Sequence, residues 1–263
     1  SFRNVVDYSV TANYAVLDVA SRQRERFLHN VYVMARDAIE RGQRDSWTTT
    51  PSRVAALTEA MNAAQDRSYD PDGRWVDGAG MAEPCMRVRT GMPVELQRPC
   101  MAGEEAQRHF ASVLRDPDLR EPRAYVLPSD QPDFPTATKF IHTLQKNGVT
   151  VHRATAPFTA GSRSYPPGSY VVQTAQAFGP HVLDMFEPQD HPTDTEYPGG
   201  PPIHPYDAAG YTLAYQMGVE FDRILDGLDG PFEKVEVLAD TPQGSVVGSG
   251  GEGYIVSSRA NDA

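Results

Sequence analysis

Three consecutive pieces decide the fold: Ala124-Tyr-Val-Leu127, Pro135-Thr-Ala-Thr-Lys-Phe-Ile-His-Thr-Leu-Gln-Lys-Asn147, and Val149-Thr-Val-His152. The outer two are short apolar runs of strand length. The middle one sets Phe140, Ile141 and Leu144 on one helical face and meets Gly148 at its end. A strand, a helix and a second strand in about 30 residues make a βαβ unit, which predicts parallel pairing through a right-handed crossover. Downstream, Tyr165-Pro-Pro-Gly168 turns the chain into a strand over 169–173, and Gly179-Pro180 opens a helix that runs to Phe186. A Pro/Gly-rich loop over 188–205 leads to a helix over 207–225 with Asp207 as N-cap. Strands over 232–238 and 253–256 close the sheet. The expected fold class is α/β, an N-terminal long helix and loops followed by an open, mostly parallel sheet.

Upstream, Val6, Val10, Leu17, Ala20, Phe27, Val31, Met34 and Ala38 recur at mostly helical intervals, predicting helix over 4–41 with Gly42 as its stop. Its length invites a break near Asn13 or Ser21. Arg22, Arg24, Glu25, Arg26, Arg36, Asp37, Glu40 and Arg41 supply a solvated far side. A helical patch over 52–65, with Ser52 as a possible cap, precedes the turn signal Asp70-Pro-Asp-Gly73, and helical character returns over 103–115. The expected organisation is therefore a helical part over 1–45, an irregular insert over 46–120, an α/β module over 121–240, and a Gly/Ser-rich linker with the start of a further strand over 241–263.

The 263 residues are 40% apolar and 22% charged, enough for a packed core and too polar for a membrane protein. No apolar run reaches the roughly 18 residues of a membrane span. With 24 basic against 35 acidic residues the net charge is −11, the wrong sign for a phosphate-backbone binder, so no nucleic-acid partner is expected. The chain opens Ser1-Phe2-Arg3-Asn4, without Met or the apolar core of a signal peptide, and reads as part of something longer. Cys85 and Cys100, each preceded by proline, read as a loop-closing disulfide or as two plain thiols; neither has C-x-x-C spacing.

Candidate chemistry is sparse. The pattern H-x-x-D occurs as His181/Asp184, His191/Asp194 and His204/Asp207, a spacing that on a helix places both side chains on one face. His181, Asp184, His191 and His204 are the metal candidates, set against a solvated acidic loop with a capping aspartate. Asp130 and Asp133 lie just past a strand's carboxyl end, where open α/β sheets bind ligands, and mark a candidate crevice. No G-x-S-x-G or G-x-C-x-G elbow occurs, so no catalytic residue is assigned. Gly248-Ser-Gly-Gly-Glu-Gly253 lacks the strand and helix of a phosphate cradle. Tyr206, Tyr211 and Tyr215 fit a packed core.

The phrases Pro122-Arg-Ala-Tyr-Val-Leu-Pro-Ser-Asp-Gln-Pro-Asp-Phe-Pro135, Asn147-Gly-Val-Thr-Val-His-Arg-Ala154, Tyr165-Pro-Pro-Gly-Ser-Tyr-Val-Val172 and His181-Val-Leu-Asp-Met-Phe-Glu-Pro-Gln-Asp-His-Pro192 resemble the region after the catalytic domain of large bacterial zinc carboxypeptidase A-type metallopeptidases. That region includes a glutamine amidotransferase-like module, of flavodoxin-like architecture. Asp7-Tyr-Ser-Val10 and Ala20-Ser-Arg-Gln-Arg-Glu25 look like the closing part of the peptidase domain. The resemblance implies a periplasmic or secreted parent protein that binds zinc and hydrolyses C-terminal peptide bonds. It also implies a peptide substrate and an upstream peptidase domain as partners. The family's His-x-x-Glu zinc motif is absent, so none of its catalytic roles transfers and no cofactor is assigned to this chain. The segment is expected to be accessory and non-catalytic; the alternative is a stand-alone α/β module that binds a peptide or small ligand without catalysis.

Overall fold

A computed structural model describes residues 1–64, 68–69, 75–76, 107–190, 195–197, 199–204, 212–242, 248, 251, 253, 255 and 258–259. In chain order its helices and strands are α1 (Phe2–Arg22), α2 (Arg24–Gly42), α3 (Pro51–Ala64), β1 (Ser68–Tyr69), β2 (Trp75–Val76), β3 (Ala124–Leu127), α4 (Phe134–Lys146), β4 (His152–Ala154), β5 (Phe158–Ala160), β6 (Arg163–Tyr165), β7 (Tyr170–Gln173), α5 (Gly179–Phe186), α6 (Leu213–Gln216), β8 (Asp222–Ile224) and β9 (Phe232–Lys234). They fall into two compact units. One comprises 1–44, 122–187 and 212–263, the other 45–121 and 188–211.

The first unit is mixed α/β, built on a five-stranded sheet in the order β8-β3-β7-β4-β9. Every neighbouring pair in it is antiparallel, which corrects the expected parallel sheet. The crossover itself is real. Strands β3 and β4 both run opposite to β7, so they are parallel to each other, and α4 connects them. The strand expected over 169–173 is β7; what the sequence concealed is its place, for it returns from the β5–β6 hairpin and inserts antiparallel between them.

Burial explains why Ala124-Tyr-Val-Leu127 reads like a strand of a parallel sheet. All four residues are fully buried, because both sheet faces are covered. Tyr125, Leu127, Tyr170 and Val172 face Phe140, Ile141 and Leu144 of α4 and Val182 and Phe186 of α5. Ala124, Val126, Val171 and Ile224 face Phe158, Ala160 and Tyr165 of the hairpin. A strand buried on both sides loses the apolar/polar alternation that normally marks an antiparallel one. The helix-side core is tied by ring contacts, with Tyr125 stacked on Phe186 at 4.1 Å and Phe186 edge-on to Phe140 at 5.1 Å.

Two glycines end helices by the same device. At Gly148 (φ 87) the amide of Val149 donates to Leu144 and that of Gly148 to Gln145; at Gly218 (φ 65) Val219 donates to Ala214 and Gly218 to Tyr215. Both are Schellman closures, which need the left-handed conformation glycine adopts without strain. The second corrects the helix expected over 207–225: its described part is only α6, and the chain then re-enters the sheet as β8. Asp207, Tyr206 and Tyr211 lie outside the described residues. The strand expected over 149–152 is likewise displaced to His152–Ala154, although Val149 and Val151 are buried.

The opening helix breaks at Gln23, whose φ of −112° and ψ of 20° separate α1 from α2. α1 buries no residue, and α2 buries only Ala38. The close approach is at its end. A Cβ on Gly42 would stand 2.5 Å from the backbone of Ala175, and one on Gly179 would stand 2.4 Å from the Thr174 carbonyl oxygen. Only glycines let these two segments pack backbone to backbone.

In the second unit, α3 buries Leu57 and Met61. Its first turn is served by Asp190, whose Oδ2 accepts from the Ser52 amide at 3.2 Å and from the Ser52 hydroxyl at 2.6 Å. Ser52 is therefore a donor to that carboxylate. Arg53 donates to the carbonyls of Thr48 and Leu114, and the Trp47 indole donates to that of Asp116. Phe110–Leu114 is a π-helical turn and Pro117–Leu119 a 3-10 turn capped by Asp116. β1 and β2 pair antiparallel on either side of Asp70-Pro-Asp-Gly73, and that turn, like Cys85 and Cys100, lies outside the described residues.

Candidate functional site

The loop after β3, where Asp130 and Asp133 mark the expected crevice, is bonded to itself. Asp133 is 8% exposed and caps α4, its Oδ1 accepting from the Thr136 amide at 3.2 Å. Proline at the following turn completes the start of that helix. Gln131 donates to the carbonyls of Pro128 and Glu220 and accepts from the Glu220 amide. Ser129 is held by Ser169 and the Pro167 carbonyl. Asp130 stands exposed beside them. Asp133 thus has a structural task, and the two carboxylates do not converge on a shared site.

The metal candidates are dispersed. His181 and Asp184 lie on α5, with His181 half-buried and Asp184 exposed. The His181 Nε2 is buried without a hydrogen-bond partner. His204 is exposed and belongs to the other unit, and His191 lies outside the described residues. Among the described residues no three His, Cys, Asp or Glu side chains gather as a metal ion requires.

The structure instead concentrates charged groups around β8. Its residues alternate between the two sheet faces, as a strand must. Arg223 projects to the helix side, where its Nε donates to Glu187 at 2.8 Å. The same carboxylate oxygen accepts from the hydroxyl of Tyr125 at 2.6 Å, which satisfies the polar end of a fully buried ring. Asp222 projects to the hairpin side. Its Oδ2 accepts from Arg163 Nη1 at 2.7 Å and from the Tyr165 hydroxyl at 3.0 Å. Burial, then the hydrogen bond to Asp222, pushes the Tyr165 hydroxyl far above its ordinary pKa. The phenol therefore stays protonated and donates to Asp222.

Asp222 and Arg163 line a cavity of about 480 Å³ between the β5–β6 hairpin and the segment 222–229. Its walls are Thr159, Ser162 and Gly161 on one side and Ile224, Asp226 and Asp229 on the other. The volume falls inside the range of about 300–1,000 Å³ usual for small-molecule sites. The sequence reading missed this cluster because it missed the hairpin. The signal was present in Ala160-Gly-Ser-Arg163, since a two-residue Gly-Ser link between β-formers is a hairpin mark, and Gly161 adopts φ 58 there.

No protein-family model, curated protein or solved structure matches the chain. No described helix is long and apolar enough to cross a membrane.

Proposed function

We propose that the chain is an accessory, non-catalytic α/β segment of a zinc metallocarboxypeptidase-like protein, secreted or periplasmic, whose upstream peptidase domain removes C-terminal residues from peptides. The reading starts from the sequence resemblance over 122–192. The structural observation that carries the accessory role is the uncovered surface of α1 and α2: Val5, Tyr8, Val10, Tyr14, Val16 and Leu17 in the first, and Phe27, Leu28, Val31 and Met34 in the second, are exposed. Exposed apolar side chains in this number point to an interaction surface. An adjoining domain would cover it, in keeping with the resemblance of this stretch to the end of a peptidase domain.

The zinc chemistry belongs, in this reading, to the peptidase domain. Zinc held by that domain would polarise the scissile carbonyl and activate water, and a carboxylate there would move the proton. The test compares the chain by itself with the same chain joined to such a domain. The chain alone is expected to hold less than about 0.1 equivalent of zinc by elemental mass spectrometry after loading and dialysis, and to release no C-terminal amino acid from a synthetic peptide. The joined protein is expected to retain about one zinc and to release the C-terminal amino acid, with a chelator abolishing release. One retained zinc per isolated chain, or peptide hydrolysis by it, overturns the reading.

A further inference from the structure

We infer that the cavity between the β5–β6 hairpin and segment 222–229 is a binding site for a neutral, hydroxyl-rich ligand of sugar size, recognised through the Asp222/Arg163 pair. This inference is independent of the peptidase reading. It rests first on bonds the pair leaves open. Asp222 uses Oδ2 for both of its protein donors, Arg163 Nη1 and the Tyr165 hydroxyl. Asp222 Oδ1 and the remaining guanidinium donors of Arg163 make no hydrogen bond with the described residues. The hydroxyls of Thr159 and Ser162, on the same wall, are also uncommitted. An open carboxylate oxygen beside open guanidinium donors fits adjacent hydroxyls on one ligand, each hydroxyl donating to the acid or accepting from the base.

Charge narrows the class. Arg223 is already committed to Glu187, so among the described residues lining the cavity Arg163 stands against Asp222 and the exposed Asp229. Anionic ligands are repelled. A compact cation placed at Asp222 Oδ1 would meet Arg163 at close range, so a neutral polyol uses both signs and a simple amine uses one. Rigidity favours binding as well. Tyr165 is anchored at both ends, its ring stacked on Phe158 at 5.0 Å and its hydroxyl on Asp222, so the acceptor is held in place before any ligand arrives.

The experiment titrates the full chain with glucose, galactose, mannose, N-acetylglucosamine and sorbitol up to about 20 mM, following amide chemical shifts by NMR, with spermidine and inorganic phosphate as charged probes. At least one neutral probe is expected to bind with a Kd of about 0.1–5 mM and to shift residues within 159–165 and 222–229. Asp222→Asn preserves the shape and the acceptor for Tyr165, and is expected to weaken binding about tenfold, the factor for one charge-assisted hydrogen bond. Arg163→Gln, on an exposed side chain whose loss leaves the core intact, is expected to weaken it about fivefold. Asp130→Asn leaves it unchanged. Absence of binding by every neutral probe overturns the inference, as does binding insensitive to both site variants. Preference for spermidine or phosphate at this cavity overturns it too.

Discussion

The opening helices and the sheet that follows are similarly rich in apolar residues, yet every residue of β3 is fully buried and no residue of α1 is buried. The difference lies in what each can face. In the sheet, α4 and α5 cover one side and the hairpin the other; among the described residues α1 meets no such layer. Composition says how much apolar surface a segment carries, and only topology says whether the chain itself can cover it. The comparison makes a quantitative demand. Phe140→Ala in α4 is expected to lower unfolding stability by about 3–5 kcal/mol, as removal of a packed core ring does, whereas Leu17→Ala in α1 should cost under about 0.5 kcal/mol in the isolated chain. Urea unfolding of both variants measures this, and equal losses would break the comparison.

The same contrast shows which parts of the fold were legible. Helices were readable where a periodic face ended at a marked stop: the helix expected over 179–186 is α5, and the one over 135–147 is α4 shifted by one residue. Gly148 was read correctly as a stop, and Gly218 uses the same closure but was passed over. The apolar pattern of Leu213, Ala214 and Met217 continues in phase with Phe221 beyond it, and a glycine inside such a pattern reads as a tolerated interruption. Sheet direction was illegible for a different reason. Parallel and two-sided antiparallel strands bury both faces, so both give unbroken apolar runs, and only the later insertion of β7 decides between them. The site depended on that insertion. Asp222 and Arg163 are far apart in sequence, and nothing local announces that β8 and the hairpin bring them within 2.7 Å.

The junction between the two regions is the next place to press. Gly42→Ala places a methyl group against the backbone of Ala175, where no flexible side chain can yield. A loss of about 1–3 kcal/mol is expected, the usual range for overpacking. Hydrogen exchange should rise most in the last turns of α2 while β3 and β7 stay protected. If protection falls uniformly across the sheet, the helices are integral to its core and the contrast drawn above is wrong.

Helix starts give a finer version of the contrast. Asp133 caps α4 with a side-chain bond, whereas Ser1, at the corresponding position of α1, makes none. Asp133→Ala should therefore cost about 1 kcal/mol, the common value for a lost N-cap, and Ser1→Ala almost nothing. Thermal melts of the two variants decide this, and a comparable loss from Ser1→Ala would show that α1 contributes to the cooperative unit.

The smallest effect concerns pH and a residue that burial reaches inside the sheet. His152 sits on β4 opposite Lys234 of β9 and Val171 of β7, with its Nδ1 buried and unpartnered. Burial first, then the Lys234 ammonium, lowers its pKa below the ordinary 6.5. A lowered histidine pKa means that below about 6.5 the unfolded chain binds a proton more readily than the folded one, so stability is intact above that pH and falls as the pH drops through the folded value. His152→Gln cannot take up that proton. Its unfolding midpoint should decline less between pH 7 and 5 than that of the unaltered chain, by a small margin because the imidazole is only partly enclosed. A steeper decline in the variant would mean that the folded state favours the imidazolium, and that the β4–β9 edge offers His152 a partner rather than the unpaired, cation-facing site its cross-strand neighbours define.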